Sequence, residues 1–552
     1  MIYPKIPLAQ SIIQICLAKG ITDIVISPGS RNAPLTIGFA NNPEFTCYSI
    51  ADERCAAFFA TGMAQQLHKP VAVVCTSGSA LLNYYPAVAE AFYSQIPLIV
   101  ISADRPSDKI DIGDGQTIRQ KNVYENHILF SANLHEDASI ENDALINEAI
   151  AVARFKKGPV HINAPFEEPL YETVDEPSVT VQVQYMQNEE KPFDAYFDHY
   201  TDKWNAAEKK LVLVGVNAPD TIDEAIIRQL ASDPSVVIMT ETTSNLHHES
   251  FLNNIDTIIT PFTPEDFEAW RPQVLLTFGG MVVSKRVKAW LRKYKPEDHW
   301  HVDPLRAYDT FGALTRHFEA TPNEFLNRFL PEVKQTESNY RHMAQELKAF
   351  RKIKHDEYLA KISFSDFKAF EVILPALPDG IQLQVSNSSP IRYAQLFDIN
   401  PAIEVFCNRG TSGIDGCTST AIGAAVGSGK PNVLITGDVS FLYDSNALWN
   451  NYIPNNFKII LINNAGGGIF RILPGHVETP VFNTFFETTH KLTAQHMATM
   501  YGLGYRTAYN EAELKEQLEL FTADNTQPQI LELFTPMLEN DKVLLQYFRE
   551  LV

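Results

Sequence analysis

The sequence predicts an α/β fold of three doubly wound, mainly parallel-sheet domains. The chain has 552 residues, too many for one hydrophobic core and close to the length of three domains. Short β-rich runs alternate with helical stretches along most of it, the signature of βαβ units. Two breaks, one acidic and proline-bearing and one long and charged, divide the alternation into three regions.

In the first region, 1–185, strands are expected at 23–27 (DIVIS), 70–75, 97–102 and 159–165, with helices over 52–66 and 79–94. Residues 167–196 turn acidic and aperiodic and read as a linker. The middle region, 196–345, carries strand runs at 210–216, 235–240, 273–280 and 299–304. Residues 335–360 read as a charged helix leading to the third region, 362–552, where strand signals return at 381–389, 403–410, 432–438, 457–464 and 529–534. There is no repeat with a period of 20–50 residues and no low-complexity tract.

Composition narrows the function classes. Apolar content of 45% and charged content of 20% suit a soluble globular protein. A net charge of −21 argues against nucleic acid as a partner and makes any arginine cluster informative. The apolar runs are strand-length, so no membrane span is expected, and no signal peptide is recognisable. Six scattered cysteines without a CxxC pair fit a reducing, cytoplasmic setting.

The densest chemical signal is residues 432–470. One strand ends in Gly437-Asp438, a helix follows, and a second strand ends in Asn463-Asn464 before a glycine run. Parallel strands deliver their C-terminal ends to one edge, so Asp438 and Asn464 can converge there. A hard carboxylate with amide and carbonyl oxygens suits Mg²⁺ and a diphosphate, and glycines let backbone approach a phosphate. The spacing resembles the thiamine diphosphate motif, GDG followed by NN, with Val439 in place of the last glycine. By that resemblance Asp438, Asn464 and the Gly466 carbonyl hold the metal. Taken alone, an acid ending one strand and an Asn-Asn turn ending another is also ordinary in doubly wound folds. A nearby stretch, 423–431, glances at a phosphate-binding P-loop but has Ala424 and Pro431 at required positions.

Thiamine chemistry also needs a carboxylate against the aminopyrimidine ring, and the candidate is Glu53, which follows a short strand and opens an Ala/Phe-rich helix. Asp52 and Glu53 would equally complement a helix dipole.

ISPGSRNAPL (26–35), ADERCAAFFATGMA (51–64), ADRP (103–106), GQTIRQ (115–120), INAPFEEPLY (162–171), SNSSPIR (386–392), NRGTSGIDG (408–416) and NNAGGGIF (463–470) occur together in this order. In this the chain resembles the SEPHCHC synthase (MenD) family of menaquinone biosynthesis over nearly its whole length, more weakly in the middle region, where SKR (284–286) carries it. The resemblance implies the three-domain, decarboxylase-like architecture of thiamine diphosphate-dependent enzymes. It implies thiamine diphosphate with Mg²⁺ or Mn²⁺ as cofactors, and 2-oxoglutarate and isochorismate as substrates. 2-Oxoglutarate would be decarboxylated and the succinyl carbanion equivalent added to isochorismate.

Carried over position by position, Glu53 activates the cofactor, with Gly437, Ile469 and Phe470 beside it. Ser30, Arg31, Arg105, Gln116, Lys285, Ser388, Arg392 and Arg409 contact substrates or intermediates. Both substrates are dicarboxylates, and Arg grips carboxylates bidentately. Gln116 is neutral and is assigned orientation or proton relay; the preceding residue is Gly115 where the family can have Asn. The family also implies a homodimer at minimum, or a tetramer. Two rivals stay open: a thiamine enzyme for neutral 2-oxo acids, which would need an apolar pocket in place of the arginines, and a non-catalytic α/β binding protein. The His247-His248 pair lies outside every motif and reads as a surface loop.

Overall fold

The computed structural model describes residues 2–185, 197–473, 475–523 and 526–552. Eight strands lie in the first region: β1 (Tyr3–Pro4), β2 (Asp23–Ile26), β3 (Thr46–Ser49), β4 (Val71–Cys75), β5 (Leu98–Asp104), β6 (Phe130–Asn133), β7 (Val160–Pro165) and β8 (Thr173–Val174). Six of them form a parallel sheet in the order β3-β2-β4-β5-β7-β6, and β1 pairs antiparallel with β8. The middle sheet, also parallel, runs β10 (Val236–Thr240), β9 (Lys210–Val214), β11 (Val274–Phe278), β12 (Asp298–Val302), β13 (Leu314–Phe318).

The third region adds β14 (Gln382–Val385), β15 (Glu404–Phe406), β16 (Asn432–Gly437), β17 (Phe457–Asn463), β18 (Gly504–Ala508) and β19 (Gln529–Phe534), in the order β15-β14-β16-β17-β19-β18. The first and third sheets therefore share one winding: second, first, third, fourth, sixth, fifth. Central strands such as β4, β5 and β17 are buried along their whole length, as expected when helices cover both faces of a parallel sheet.

The shared winding places two equivalent helices, Glu53–Leu67 after β3 and Cys417–Ser428 after β15, against each other. Their backbones touch at reciprocal glycines. A Cβ on Gly62 would lie 2.1 Å from the Thr420 carbonyl oxygen, and one on Gly423 would lie 2.0 Å from that of Phe59. Phe58, Phe59 and Met63 from one side and Ile422, Leu434, Phe441 and Phe457 from the other form a single buried cluster. One core thus joins the first and third regions.

The linker expectation at 167–196 needs correction over its first part. Beyond the β1–β8 pairing, the Ser178, Gln182 and Gln184 amides donate to the side chains of Gln10, Asp143 and Asn147. Polar helix side chains hold this segment along the first domain without making it a strand. The remainder, 186–196, lies outside the described residues. The P-loop lookalike covers the end of the helix Cys417–Ser428, closed by Gly429 at φ +66°, the end of a helix dipole that repels anions. No helix among the described residues is long and apolar enough to cross a membrane.

Candidate active site

The expected site residues sit beyond the C-terminal ends of parallel strands, where doubly wound sheets bind ligands. Ser30 and Arg31 follow β2, Glu53 follows β3, and Arg105 and Gln116 follow β5. Lys285 follows β11, Ser388 and Arg392 follow β14, and Arg409 follows β15. Asp438 follows β16, while Asn464 and Gly466 follow β17.

The third-region cluster converges through its loops. Gly437 pairs with Ile462 in the sheet register, so the two strands end side by side. Asp438, 3% exposed, accepts the Gly466 amide through Oδ2 at 3.0 Å and the Val439 amide through Oδ1 at 2.7 Å. The chain passes there through two positive-φ residues, Ala465 at +64° and Gly466 at +152°. A Cβ on Gly466 would press to 2.8 Å on the Glu487 carbonyl oxygen, which leaves only glycine free to fit. Asn464 donates from Nδ2 to the buried carboxylate of Asp366 at 2.9 Å. His490 Nε2 lies 3.2 Å from Asp438 Oδ2, and its interaction with that carboxylate raises the imidazole above its ordinary pKa against the opposing effect of burial.

A divalent cation fits this donor set on chemical grounds. Among the described residues no group of three His, Cys, Asp or Glu side chains is arranged to hold a metal. The cluster offers one carboxylate, one amide and backbone carbonyls, which leaves most of an octahedral shell to phosphate oxygens and water.

Around β14 and β15 basic groups gather. Arg409 Nη1 donates to Asn387 Oδ1 at 2.6 Å, while its Nε is buried without a hydrogen-bond partner. Arg392 lies beside it: burial first, and then the Arg409 charge, lower its pKa, with Asp256 opposing. Among the described residues Arg392 forms no ion pair. Ser388, at φ +75°, precedes the short helix that carries Arg392. Across from them the SKR turn is held by two acids, Glu241 buried and Asp256 half-buried. Glu241 accepts the Val283 and Ser284 amides at 2.6 and 2.7 Å, and Asp256 accepts the Ser284 hydroxyl. Burial pushes the Glu241 carboxyl up to about 7 and raises Asp256 as well. Lys285 and Arg286, both exposed, open the helix that follows this turn.

In the first region Glu53 opens its helix under an Asp52 cap and accepts Asn83 Nδ2 at 3.1 Å. Arg31, 5% exposed, donates to the Phe166 carbonyl at 3.0 Å and pairs with Glu168 at 3.1 Å. Arg105 pairs with Asp114 at 3.0 Å and donates to Ser77 at 3.1 Å. Ser30 and Gln116 are exposed, and Gln116 takes φ +54°. That strained turn is held from behind by Gln120, which is buried. Its amide donates to Asn163 Oδ1 at 2.8 Å and its carbonyl accepts the Gly78 amide at 2.9 Å.

Within the chain, Asp438 meets Gly466 and Arg392 neighbours Arg409. The hydrogen bond that Glu53 makes leads to Asn83 instead of to the Asp438 cluster. Ile469 and Phe470 lie half-buried in a short 3-10 turn, Phe470 edge-on to Phe486 at 6.2 Å. His248 bonds Ser250 in its loop. Sequence reasoning passed over the buried acids Glu90, Glu241 and Asp366 and the half-buried Asp256, which hold the site loops from behind. The one available signal was an acid inside an apolar stretch, as with Glu90 in YPAVAEAFYS.

Two family models match parts of the chain. Residues 6–127 match the family described as thiamine pyrophosphate enzyme, N-terminal TPP binding domain. Residues 179–385 match that described as middle domain of thiamine pyrophosphate. The 2-succinyl-5-enolpyruvyl-6-hydroxy-3-cyclohexene-1-carboxylate synthases of Flavobacterium johnsoniae and Flavobacterium psychrophilum are each 66% identical, with 100% of both chains covered. The protein of that name from Bacteroides fragilis is 38% identical over 97% of each chain.

Proposed function

This chain belongs to the 2-succinyl-5-enolpyruvyl-6-hydroxy-3-cyclohexene-1-carboxylate synthase family of thiamine diphosphate-dependent transferases in menaquinone biosynthesis, and we propose that it decarboxylates 2-oxoglutarate and joins the succinyl unit to isochorismate. The observation that carries the site assignment is the convergence of Asp438 on the Gly466 amide at 3.0 Å, which builds an oxygen-rich corner beside a glycine run. In this reading residues 1–185 bind the pyrimidine, 196–345 form the middle domain and 362–552 bind the diphosphate.

Bound thiamine diphosphate supplies the electron sink that lets a 2-oxo acid lose CO2. Asp438, the Asn464 amide oxygen and the Gly466 carbonyl would hold Mg²⁺ or Mn²⁺ against the diphosphate, with Gly437 backbone, Ile469 and Phe470 lining the cofactor. Glu53 holds a proton at its carboxyl oxygen against the pyrimidine ring. Arg392 and Arg409 grip substrate carboxylates; Arg392, half-buried beside a second cation and in no ion pair among the described residues, favours a bound anion. Ser388 and Lys285 flank that pair. Ser30, Arg31 and Arg105 bind from the first domain, and Gln116 orients the reacting group. An apolar pocket for neutral 2-oxo acids is disfavoured by the same arginines.

The assembly is a homodimer at minimum, with Glu53 of one chain facing Asp438 of the other. This accounts for a Glu53 that turns to Asn83 within its own chain. The test is incubation of the protein with thiamine diphosphate, Mg²⁺, 2-oxoglutarate and isochorismate, followed by mass spectrometry. An adduct equal to the two substrates less CO2 is expected. Decarboxylation of 2-oxoglutarate with isochorismate left unchanged would overturn the acceptor assignment.

A further inference from the structure

A carboxamide has two ends of nearly the same shape, and only its oxygen can ligate a cation. At the open end of β17 the residue type alone does not decide which end of Asn464 faces the metal. The structure holds a device that does. Asn464 Nδ2 donates to Asp366 Oδ2 at 2.9 Å, although the two residues are 98 positions apart. Asp366 is the first residue of the helix Asp366–Ala376 and is 2% exposed. A carboxylate accepts and cannot donate, so the end of Asn464 that faces it is the NH2, and the oxygen is turned away.

The orientation of Asp366 is fixed in turn. Its Oδ1 accepts the Thr535 hydroxyl at 2.5 Å, and its backbone amide donates to Asn540 Oδ1 at 2.8 Å. Thr535 is tied back to the site, because its amide donates to the Asn463 carbonyl at 3.1 Å. The helix start, the end of β19 and the end of β17 thus form one closed ring of hydrogen bonds with Asn464 as its member on the site side. We infer that Asp366 is a positioning residue that locks the Asn464 carboxamide with its oxygen toward the metal. This rests on the reading of Asn464 as a metal ligand.

The test is Mn²⁺ binding in the presence of thiamine diphosphate, followed by the loss of the free-ion electron paramagnetic resonance signal, with the melting temperature of each metal-free variant as the control for folding. Asp366→Ala releases the amide to rotate, and its Mn²⁺ affinity should fall by about 10- to 100-fold. Asn464→Asp alone sets two carboxylates face to face and should weaken binding too. The exchange variant, Asp366→Asn with Asn464→Asp, restores a hydrogen bond of reversed polarity and aims a carboxylate oxygen at the metal at unchanged total charge. It should regain most of the affinity, even if Asp366→Ala fails to fold. A weakened Asn464→Ala beside an unweakened, folded Asp366→Ala overturns the inference alone, as does an exchange variant no tighter than Asn464→Asp. Asn464→Ala binding as tightly as the natural protein would remove the metal-ligand reading itself.

Discussion

Glu90 accepts the Gly410 amide at 2.7 Å from across the junction between the first and third sheets. The same carboxylate, 1% exposed, also accepts the Thr411 amide and hydroxyl at 2.7 and 2.8 Å and the Ser94 hydroxyl at 2.8 Å. It therefore clamps the loop that carries Arg409. Glu90→Ala removes a buried carboxylate that accepts two backbone amides and should cost about 1–3 kcal/mol in a urea melt. A loss below about 0.5 kcal/mol, the range of ordinary surface substitutions, would show that the clamp is idle.

Arg392 and Arg409 should govern substrate use more than cofactor use. Replacing either by Ala removes charge-assisted hydrogen bonds worth about 1.5–3 kcal/mol, so kcat/KM should fall roughly 10- to 100-fold. Thiamine diphosphate affinity should stay within a few-fold, and Lys should restore only part of the loss because it lacks the planar fork. Steady-state kinetics in both substrates, with cofactor titration alongside, check this. Equal losses in cofactor and substrate affinity would point to a folding defect instead.

The crossing of the two equivalent helices allows no Cβ at Gly62 or Gly423, because each would press within about 2 Å of a backbone carbonyl. Backbone cannot swing aside as a side chain can, so Gly62→Ala should destabilise by about 1–3 kcal/mol or more. Thermal melting measures it. Ala at Gly20, where nothing lies within 4 Å but φ is +69°, is the control for backbone strain alone.

The buried Glu241 gives stability a pH signature. Its carboxyl is raised to about 7 from 4.5, so the folded state keeps its proton where the unfolded chain has lost it. Its contribution is fully present below pH 4.5 and drains away as pH rises to about 7. Comparison of the natural protein with Glu241→Gln across that window should show a relative loss on the order of 3 kcal/mol for the natural protein. A constant difference between the two would refute a raised Glu241.

Most of this architecture is legible in the sequence because its central strands are continuous apolar runs. QILELF at 529–534 coincides with β19, and the other expected strands fall within a few residues of the observed ones. Beside the two-residue β1 and β8, three strands escaped: β6, β13 and β18. All three are edge strands, with sequences FSAN, LTRHF and GYRTA that are half-exposed and carry little apolar pattern. The site residues stood out where a motif concentrates glycine, arginine and short polar side chains in one loop. What supports those loops did not, since Glu90, Gln120 and Asp366 act through partners far away in sequence and belong to no local pattern. The repeated winding of the outer sheets was equally hidden, because equivalent helices share small residues at their crossing and little else.

In the proposed assembly Glu53 and Asp438 serve one active site from two chains. Glu53→Gln and Asp438→Ala should each fold as judged by circular dichroism and each be nearly inactive alone. Co-refolding the two in equal amounts tests the claim directly. Random pairing makes half of the dimers mixed, and each mixed dimer holds one site with both residues intact, so about a quarter of the natural activity should return. Mixed dimers seen by native mass spectrometry with no returning activity would contradict the shared site.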